Sequence, residues 1–264
     1  MSLEKFADAF ASVIEVGIHT LLFLRQVYPA HLFATKRKYN VAVQQSRHPA
    51  LNAYISNVVT CIRQHVLRGD IEALLICIHT LPSAAAGNTN NTDADMMMTD
   101  DSGDGVVVLE RYVWQLKESP GLREARQQLG AQASRLVHSE WNEERMEQEL
   151  RALLLRLTVC TSAIPELSSS AVDPDRLSWS LAIKTRSEPD SAAPRQAVSM
   201  QQAADAFPAS HMHATRLFQA ENERQWVEAD SFLLDKDPSR LLFPIRSSDN
   251  GLISWSLHVE CRQR

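Results

Sequence analysis

The feature that most constrains this chain is a long apolar segment near its start. From Leu3 to Tyr28 apolar residues recur at helical spacing, and over the second half they cover nearly the whole surface of the helix. A helix that is apolar on every side has to be surrounded by other elements, so this pattern predicts a central, buried helix that ends before Pro29. Polar residues interrupt the segment, which argues against a signal peptide or a membrane span: Glu15, His19 and Arg25.

Hydrophobic periodicity predicts two further long helices and five strands. His48-Pro49 begins a helix with one apolar face that ends at Gly69, and a third helix runs from Glu140 to Ala163. Strict alternation, or enrichment in β-branched and aromatic residues, predicts the strands: Ile71–Leu81 paired with Gly105–Leu116, then Leu177–Lys184, and a closing hairpin of Leu241–Arg246 and Leu252–Cys261 around the turn Asn250-Gly251.

Four segments lack a long period. Residues 30–47 are interpreted as an irregular connection with one short strand, and residues 121–137 are expected to be partly helical. Residues 83–104 are small and polar, so they cannot bury enough apolar surface to offset the cost of ordering, and we expect a mobile insertion in the first hairpin. Residues 186–240 are interrupted by prolines and are expected to form a long loop between two strands.

The distribution of charge argues against a general nucleic-acid-binding surface. The chain has 27 Lys and Arg against 32 Asp and Glu, and five of the acids lie in residues 83–104, where no basic residue occurs. The rest of the chain is neutral, whereas non-specific binding to phosphates scales with the number of basic contacts. We therefore expect no direct contact with nucleic acid, and the basic run Lys36-Arg37-Lys38 is interpreted as a solvated loop.

The sequence contains no recognisable catalytic, cofactor or metal motif. Its four cysteines stand far apart without a C-x-x-C pair, which is typical of reduced core residues in an intracellular protein. His19 is interpreted as a buried structural histidine, and the pair His211-x-His213 has no further metal ligand at suitable spacing. We predict no enzyme, no cofactor and no metal site. The alternative from another functional class is an enzyme that works through His19 or His211 in a pocket with a second polar group.

Four stretches of sequence resemble a known family. They are Glu15–His19, Arg25–Pro29, Lys36–Val41 and His48–Ile55, and they resemble the HORMA-domain accessory, non-catalytic subunits of translesion DNA polymerase zeta. The similarity extends from residue 6 to about residue 78, resumes over residues 146–160, and is weaker over residues 179–186 and 226–260. It implies an α+β HORMA fold as a single domain over residues 1–264. In that fold three long helices pack on a mostly antiparallel sheet in a core of residues 1–185, and residues 186–264 form a safety belt with a closing hairpin.

The resemblance also implies a function. In the family, the safety belt closes over a proline-containing peptide of the polymerase zeta catalytic subunit, which lies between the sheet edge and the second helix. Tyr54 and Trp226 match the aromatic residues that contact that peptide. A second surface, on the closing hairpin, binds the scaffold polymerase of translesion synthesis. Its matching residues are Leu242, Ser256 and His258, and the last two replace the usual glutamine and tyrosine.

The resemblance further implies a dimer contact and leaves an alternative class of partner open. Arg151 matches an arginine at which two HORMA domains meet, which implies a homodimer or heterodimer; the alternative for Arg151 is an ordinary solvated helix charge. The alternative function is a HORMA adaptor for another chromatin, cell-cycle or double-strand-break repair partner. We expect the protein in the nucleus and also in the cytoplasm, without a membrane partner.

Overall fold

Helices and strands alternate along the chain in an α+β arrangement. The computed structural model describes residues 1–81, 106–164, 167, 176–186, 197–200, 227–228 and 239–262. Within these ranges five α-helices occur: α1 (Leu3–Leu24), α2 (Pro49–Arg68), α3 (Pro120–Leu129), α4 (Ala133–Leu136) and α5 (Glu143–Ala163). The same ranges contain nine strands: β1 (Phe33–Lys38), β2 (Val41–Ser46), β3 (Ile71–Thr80), β4 (Val108–Glu118), β5 (Leu177–Thr185), β6 (Ala197–Met200), β7 (Val227–Glu228), β8 (Leu241–Asp249) and β9 (Ile253–Cys261).

Local signals define the ends of the long helices. The Ser2 hydroxyl accepts a hydrogen bond from the Lys5 amide at the start of α1, and the Asn142 side chain accepts one from the Arg145 amide at the start of α5. At the end of α2, Gly69 has a φ of 81°, a left-handed conformation that favours glycine. A Cβ atom at Gly69 would also lie 2.6 Å from Oε1 of Glu118, so this position excludes larger residues.

Seven strands form one antiparallel sheet in the order β7-β6-β5-β3-β4-β9-β8. The closing hairpin β8–β9 therefore pairs with β4, on the opposite side of the sheet from β5. Glu228 of β7 and Leu241 of β8 lie at opposite edges, six strand spacings or about 29 Å apart. Twelve residues join them, and an extended chain covers about 3.4 Å per residue, so this connection is long enough to cross the width of the sheet.

The helices cover one face of the large sheet, here called the core face. α1 lies at the centre of the helical layer: a Cβ atom placed on Gly17 would be 3.8 Å from Trp114 of β4 and 3.8 Å from Leu157 of α5. By length and composition α1 is apolar enough to span a membrane, but most of its residues are buried against the sheet and the other helices. This confirms the prediction of a central, buried helix.

A buried ion pair joins the end of α1 to the sheet. Nε of Arg25 donates to Oε2 of Glu110 at 2.9 Å, and a second guanidinium nitrogen contacts Oε1 of the same carboxylate. The Tyr112 hydroxyl donates to Glu110 at 3.0 Å, and Arg25 also donates to the main-chain oxygen of Thr161 on α5. This bidentate pair fixes the register of three elements, and removal of either partner would leave a buried charge.

Two expectations for the secondary structure are wrong. Residues 30–47 form a regular two-stranded sheet, β1–β2, with Phe33 opposite Ser46 and Lys38 opposite Val41, rather than an irregular connection. Residues 36–38 are exposed in β1, and the turn uses Tyr39 and Asn40, both with positive φ. The loop expected over residues 186–240 is also wrong in part, because its described residues include the strands β6 and β7, which the neighbouring strands of the sheet supply with backbone partners. The rest of that segment and the expected insertion at 83–104 lie outside the described residues.

Candidate functional site

Three aromatic side chains meet beneath β5. The ring of Tyr54 on α2 packs edge to face against Trp179 of β5, with ring centroids 5.6 Å apart. Nε1 of Trp179 donates a hydrogen bond to the hydroxyl of Tyr28 at 3.1 Å. We call Tyr28, Tyr54 and Trp179 the aromatic cluster. It joins the connection after α1, the second helix and the outermost long strand on this side of the sheet.

Burial keeps the aromatic cluster uncharged at any physiological pH. Desolvation raises the pKa of Tyr28 to about 12, partly offset by the hydrogen bond from Trp179, and raises the pKa of Tyr54 further still. Tyr54 is 7% exposed and Trp179 is 1% exposed. The cluster therefore supports β5 from the core face as a group of buried, uncharged aromatic rings.

The outer edge of β5 is the side that does not pair with β3. Residues 181–184 pair there with β6, and Val198 and Ser199 of β6 pair in turn with β7. Trp226, the second predicted peptide contact, lies outside the described residues, but the next residue, Val227, begins β7. Tyr54, through its contact with β5, and the start of β7 therefore lie towards the same edge of the sheet.

The three residues predicted to bind a scaffold polymerase lie together on the closing hairpin. Leu242 is opposite Glu260 of β9, and Ser256 and His258 precede Glu260 at alternate positions, so all of them are on the face of the sheet away from the helices. Leu242 is 58% exposed. Nε2 of His258 lies 3.4 Å from Glu260, and this contact lowers the pKa of the glutamate, with a smaller contribution from Arg111.

Arg151 occupies a separate surface. It lies on α5 in a row with Leu155 and Val159, which are 51% and 68% exposed. This row faces away from the sheet, so the predicted dimer contact does not overlap the surface of Leu242, Ser256 and His258. The two exposed apolar side chains beside Arg151 are a feature that the sequence analysis missed, although their spacing of four residues is readable in the sequence.

Two groups of polar contacts hold the ends of the segment between β5 and β8. Arg186, directly after β5, donates to the main-chain oxygens of Leu116 and Gly69 and pairs with Glu118 at 3.4 Å. The closing hairpin is attached to α5 through Glu149, which pairs with Arg246 and accepts a hydrogen bond from Ser248 at 3.3 Å. Both ends of the segment between β5 and β8 are therefore attached to the rest of the domain.

The structure places His19 in the core, as predicted. Its side chain is 2% exposed, and Nδ1 accepts a hydrogen bond from the Ser46 amide at 3.4 Å. Burial lowers the pKa of His19 from 6.5 to about 4, so the imidazole is neutral at neutral pH. His211 and His213 lie outside the described residues. Among the described residues no group of three or more His, Cys, Asp or Glu side chains is arranged to hold a metal ion.

Two members of the aromatic cluster were missed as site residues. Trp179 appeared in the sequence only as an inward residue of an alternating strand, and Tyr28 only as the last residue of a helix. Their meeting with Tyr54 depends on the packing of α2 against β5, which joins positions more than 120 residues apart. The signal available in the sequence was that an alternating strand carries a tryptophan on its apolar face.

Comparison with known proteins places this geometry in a family. The model of the HORMA domain matches residues 8–181 of the chain. The mitotic spindle assembly checkpoint protein MAD2B of Gallus gallus is 26% identical over 259 residues, which cover 98% of this chain and 92% of that protein. The DNA polymerase zeta processivity subunit of Schizosaccharomyces pombe is 39% identical over 77 residues, covering 29% of this chain and 36% of that protein.

Solved structures share the fold at low sequence identity. A chain of the mitotic checkpoint complex superposes with a TM-score of 0.59 at 16% identity, covering 98% of this chain and 99% of the other. HTP-2 of C. elegans, bound to a HIM-3 closure motif, superposes with a TM-score of 0.54 at 10% identity, covering 100% of this chain and 93% of the other. These similarities establish the same arrangement of helices and sheet.

Proposed function

Because this chain belongs to the HORMA domain family, we propose that it is a non-enzymatic adaptor of translesion DNA synthesis. In this proposal it captures a proline-containing peptide of the catalytic subunit of DNA polymerase zeta and links that subunit to the scaffold polymerase. Relatives named as polymerase zeta subunits support the choice of complex. A HORMA structure described as bound to a closure motif supports the capture of a peptide.

The observation that carries the proposal is the outer edge of β5. A sheet edge offers unpaired backbone groups, and an extended peptide that pairs with them gains main-chain hydrogen bonds whatever its sequence. Here the edge accepts an added strand over residues 181–184, and the aromatic cluster supports it from below. The chain then returns to the opposite side of the sheet at β8, so the connection can lie across a captured strand.

The second half of the proposal concerns the closing hairpin. Leu242, Ser256 and His258 form a mixed apolar and polar surface on the opposite side of the sheet from the peptide edge. A scaffold polymerase bound there would not compete with the captured peptide. The two sites together give the chain the geometry of an adaptor, with one partner at each side of the sheet.

We test the proposal by removing the two predicted peptide contacts. The double variant Tyr54→Ala and Trp226→Ala should lose at least about tenfold in affinity for a peptide of the polymerase zeta catalytic subunit, measured by fluorescence anisotropy, because a buried aromatic contact contributes about 1.5–3 kcal/mol. Since Tyr54 is buried, Trp226→Ala alone is tested in parallel. Trp141→Ala removes a half-buried aromatic residue far from β5 and serves as the control.

Circular dichroism and thermal unfolding establish that each variant is folded. Affinity unchanged in a folded Trp226→Ala chain and in a folded double variant would reject the assignment of the peptide site. A loss of the same size in Trp141→Ala would show that the effect comes from general destabilisation.

A second candidate function is an adaptor for another chromatin, cell-cycle or double-strand-break repair partner. The relatives named as a mitotic spindle assembly checkpoint protein favour it. Both functions use the same edge of β5, so only the identity of the captured peptide separates them. Co-purification from nuclear and cytoplasmic extracts in high salt, followed by mass spectrometry, identifies that peptide and tests the expected nuclear location.

Dimerisation is a further part of the proposal. A second HORMA domain would pack on the row of Arg151, Leu155 and Val159, where two exposed apolar side chains accompany a cation. This surface is distinct from the edge of β5 and from the face of Leu242, so a dimer leaves both other sites accessible.

A further inference from the structure

The face of the large sheet opposite the core face carries a groove of about 960 Å³. Its floor is formed by small and apolar side chains of β3 and β4, namely Ala73, Leu75 and Val113. These three residues belong to a second apolar cluster that is separate from the main core. The groove runs across the strands, from Lys184 of β5 to Ser247 of β8, and polar side chains line it on both sides of this floor.

The part of the groove near β5 and α3 is basic. Lys117 near the end of β4, Arg123 on α3 and Arg186 directly after β5 line it there, and we call these three residues the basic end. The guanidinium group of Arg186 donates to the main-chain oxygen of Leu116 at 2.7 Å, and that of Arg123 donates to the main-chain oxygen of Glu118 at 3.2 Å. The two arginines are therefore attached to the backbone directly before and directly after Lys117.

Two carboxylates beside the basic end already have cationic partners. Glu118 is 5% exposed and is shared by Arg186 at 3.4 Å and Arg126 at 2.9 Å, and Glu72 pairs with Lys184 at 2.5 Å. Within the described part of the chain, neither the exposed Lys117 nor the exposed Arg123 belongs to an ion pair. One carboxylate shared by two arginines, with two further cations beside it, leaves positive charge in excess at the basic end.

The charge changes sign across the sheet. Lys117 is opposite Ser254 of β9, and Ser254 is opposite Asp249 of β8, so Asp249 lies two strand spacings or about 10 Å from Lys117. A nucleic-acid strand carries a phosphate at every nucleotide, and one that followed the groove would bring a phosphate to Asp249. A ligand with a single concentrated negative charge at one end suits this distribution better.

We propose that the groove is a docking site for a peptide that contains a phosphorylated serine or threonine, with the phosphate bound by the basic end. A phosphate monoester carries a charge of about −2 and three acceptor oxygens, which two guanidinium groups and one ammonium group can satisfy together. The apolar floor of Ala73, Leu75 and Val113 is available to the neighbouring side chains of such a peptide. Clusters of arginines are a recurrent means of recognising phosphorylated segments.

This site goes beyond the proposed function, because it does not use the outer edge of β5. It borders the surface predicted to bind a scaffold polymerase, since Ser256 lines the groove as well. The residues of the basic end lie outside that predicted surface, so they can be replaced without changing Leu242, Ser256 or His258.

The inference is tested on the full chain with two matched double variants. Lys117→Gln combined with Arg123→Gln removes two exposed cations from the groove, whereas Lys36→Gln combined with Arg37→Gln removes two exposed cations from β1. The probe is a fluorescein-labelled library of short peptides with a fixed central phosphoserine and random flanking residues, compared with the same library carrying serine. We expect the native chain and the β1 variant to bind the phosphorylated library about tenfold or more tightly than the serine library, and the groove variant to lose this preference.

Nuclear magnetic resonance locates the site in the native chain without any substitution. Titration with the phosphorylated library should shift the amide resonances of Gln115, Lys117 and Ser254 and leave those of β1 unchanged. Equal affinity for the two libraries, an equal loss in both variants, or shifts confined to other elements would overturn the inference. Thermal unfolding shows that each variant is folded.

A labelled single-stranded DNA is measured in parallel, as the other class of phosphate ligand. If it binds the native chain more tightly than the phosphorylated library and is weakened in the groove variant, the groove is a nucleic-acid site and the proposed ligand is wrong. The affinity for a peptide of the polymerase zeta catalytic subunit should be the same in all three chains. Failure of the groove proposal is therefore distinguishable from failure of the proposed function.

Discussion

At the scale of single residues, the core contains polar groups whose partners are fixed by distant parts of the chain. His19 is one of them: it accepts a hydrogen bond from the Ser46 amide and so joins α1 to β2. Ser46 in turn accepts from the His48 amide at 3.0 Å, and its main-chain oxygen accepts from Asn52 at 2.9 Å. A neutral imidazole at this point connects the central helix to the start of α2, which carries Tyr54.

The burial of His19 predicts a dependence of stability on pH. The pKa is about 4 in the folded chain and 6.5 for an exposed histidine, so between these values protons bind preferentially to the unfolded chain. The contribution of His19 is constant above pH 6.5 and is lost as the pH falls towards 4, by on the order of 3 kcal/mol. Urea unfolding from pH 7 to pH 4 should show this loss in the native chain but not in His19→Asn, whose side-chain oxygen can accept the same hydrogen bond.

His138→Asn is the control for this experiment. His138 is exposed, so its replacement should leave the pH dependence of the native chain unchanged. Parallel pH curves for the native chain and His19→Asn would contradict the assignment of a buried, neutral imidazole.

At the scale of elements, the closing hairpin depends on a small number of polar contacts with α5. Glu149 is 8% exposed and binds Arg246, Ser248 and also Arg145, the last at 3.2 Å. Asn250 accepts hydrogen bonds from the amides of Leu252 and Ile253 and shapes the turn. The hairpin is therefore held at its turn and along the helix-facing side of β8.

Replacement of Glu149 should loosen this hairpin. Glu149→Ala leaves Arg246 without its carboxylate partner, so we expect a loss of about 1–3 kcal/mol in the free energy of unfolding and faster hydrogen exchange in β8 than in β3. Glu144→Ala removes an exposed acid from the same helix and should change neither quantity. Uniform acceleration of exchange across the whole sheet would show that Glu149 supports the core rather than the hairpin.

Much of the element order follows from the sequence because each long element carries its own periodic signal. α1, α2, α5, β5 and β9 were predicted close to their observed bounds. One short strand was expected in residues 30–47, but the hairpin of β1 and β2 was missed. Only Phe33 is buried in β1, so this strand has no alternating pattern, and the turn uses Tyr39 and Asn40 instead of glycine. β8 continues to Asp249, beyond the predicted end at Arg246, because β9 supplies backbone partners to residues that have no strand signal of their own.

At the scale of the whole molecule, the order of strands in the sheet and the contacts between distant residues depend on long-range packing, so the sequence did not predict them. The alternation in residues 177–184 predicts a strand but not that it lies near an edge, and the partner of that edge, β6, has only four residues. The family resemblance supplied the candidate roles of Tyr54 and of the closing hairpin, whereas the contact of Tyr54 with Trp179 required the structure. The buried pair of Arg25 and Glu110 was also not predicted, since neither residue stands in a recognisable motif.

The base of the first hairpin predicts that the insertion is dispensable. The Thr80 amide donates to the main-chain oxygen of Val107 at 2.9 Å, which joins the end of β3 to the residue before β4. The Leu81 amide donates to the main-chain oxygen of Arg176 at 2.7 Å, which joins the same end to the residue before β5. β3 is therefore attached to both neighbouring strands before the insertion begins. Deletion of residues 85–103 leaves a connection of ordinary hairpin length between residues 81 and 106. We expect a melting temperature within a few degrees of the native value and unchanged peptide affinity. Insoluble protein, or a large fall in melting temperature, would show that the insertion is structural.

The position of Pro244 in β8 limits how the sheet can be extended. β8 is the terminal strand of the sheet, and Pro244, which has no amide hydrogen, stands beside an irregularity in its pairing with β9. A strand with this defect is a poor template for a further strand, so the sheet cannot easily grow in that direction. An additional strand, from this chain or from another, can therefore join the described sheet far more readily at its other end, beyond β7.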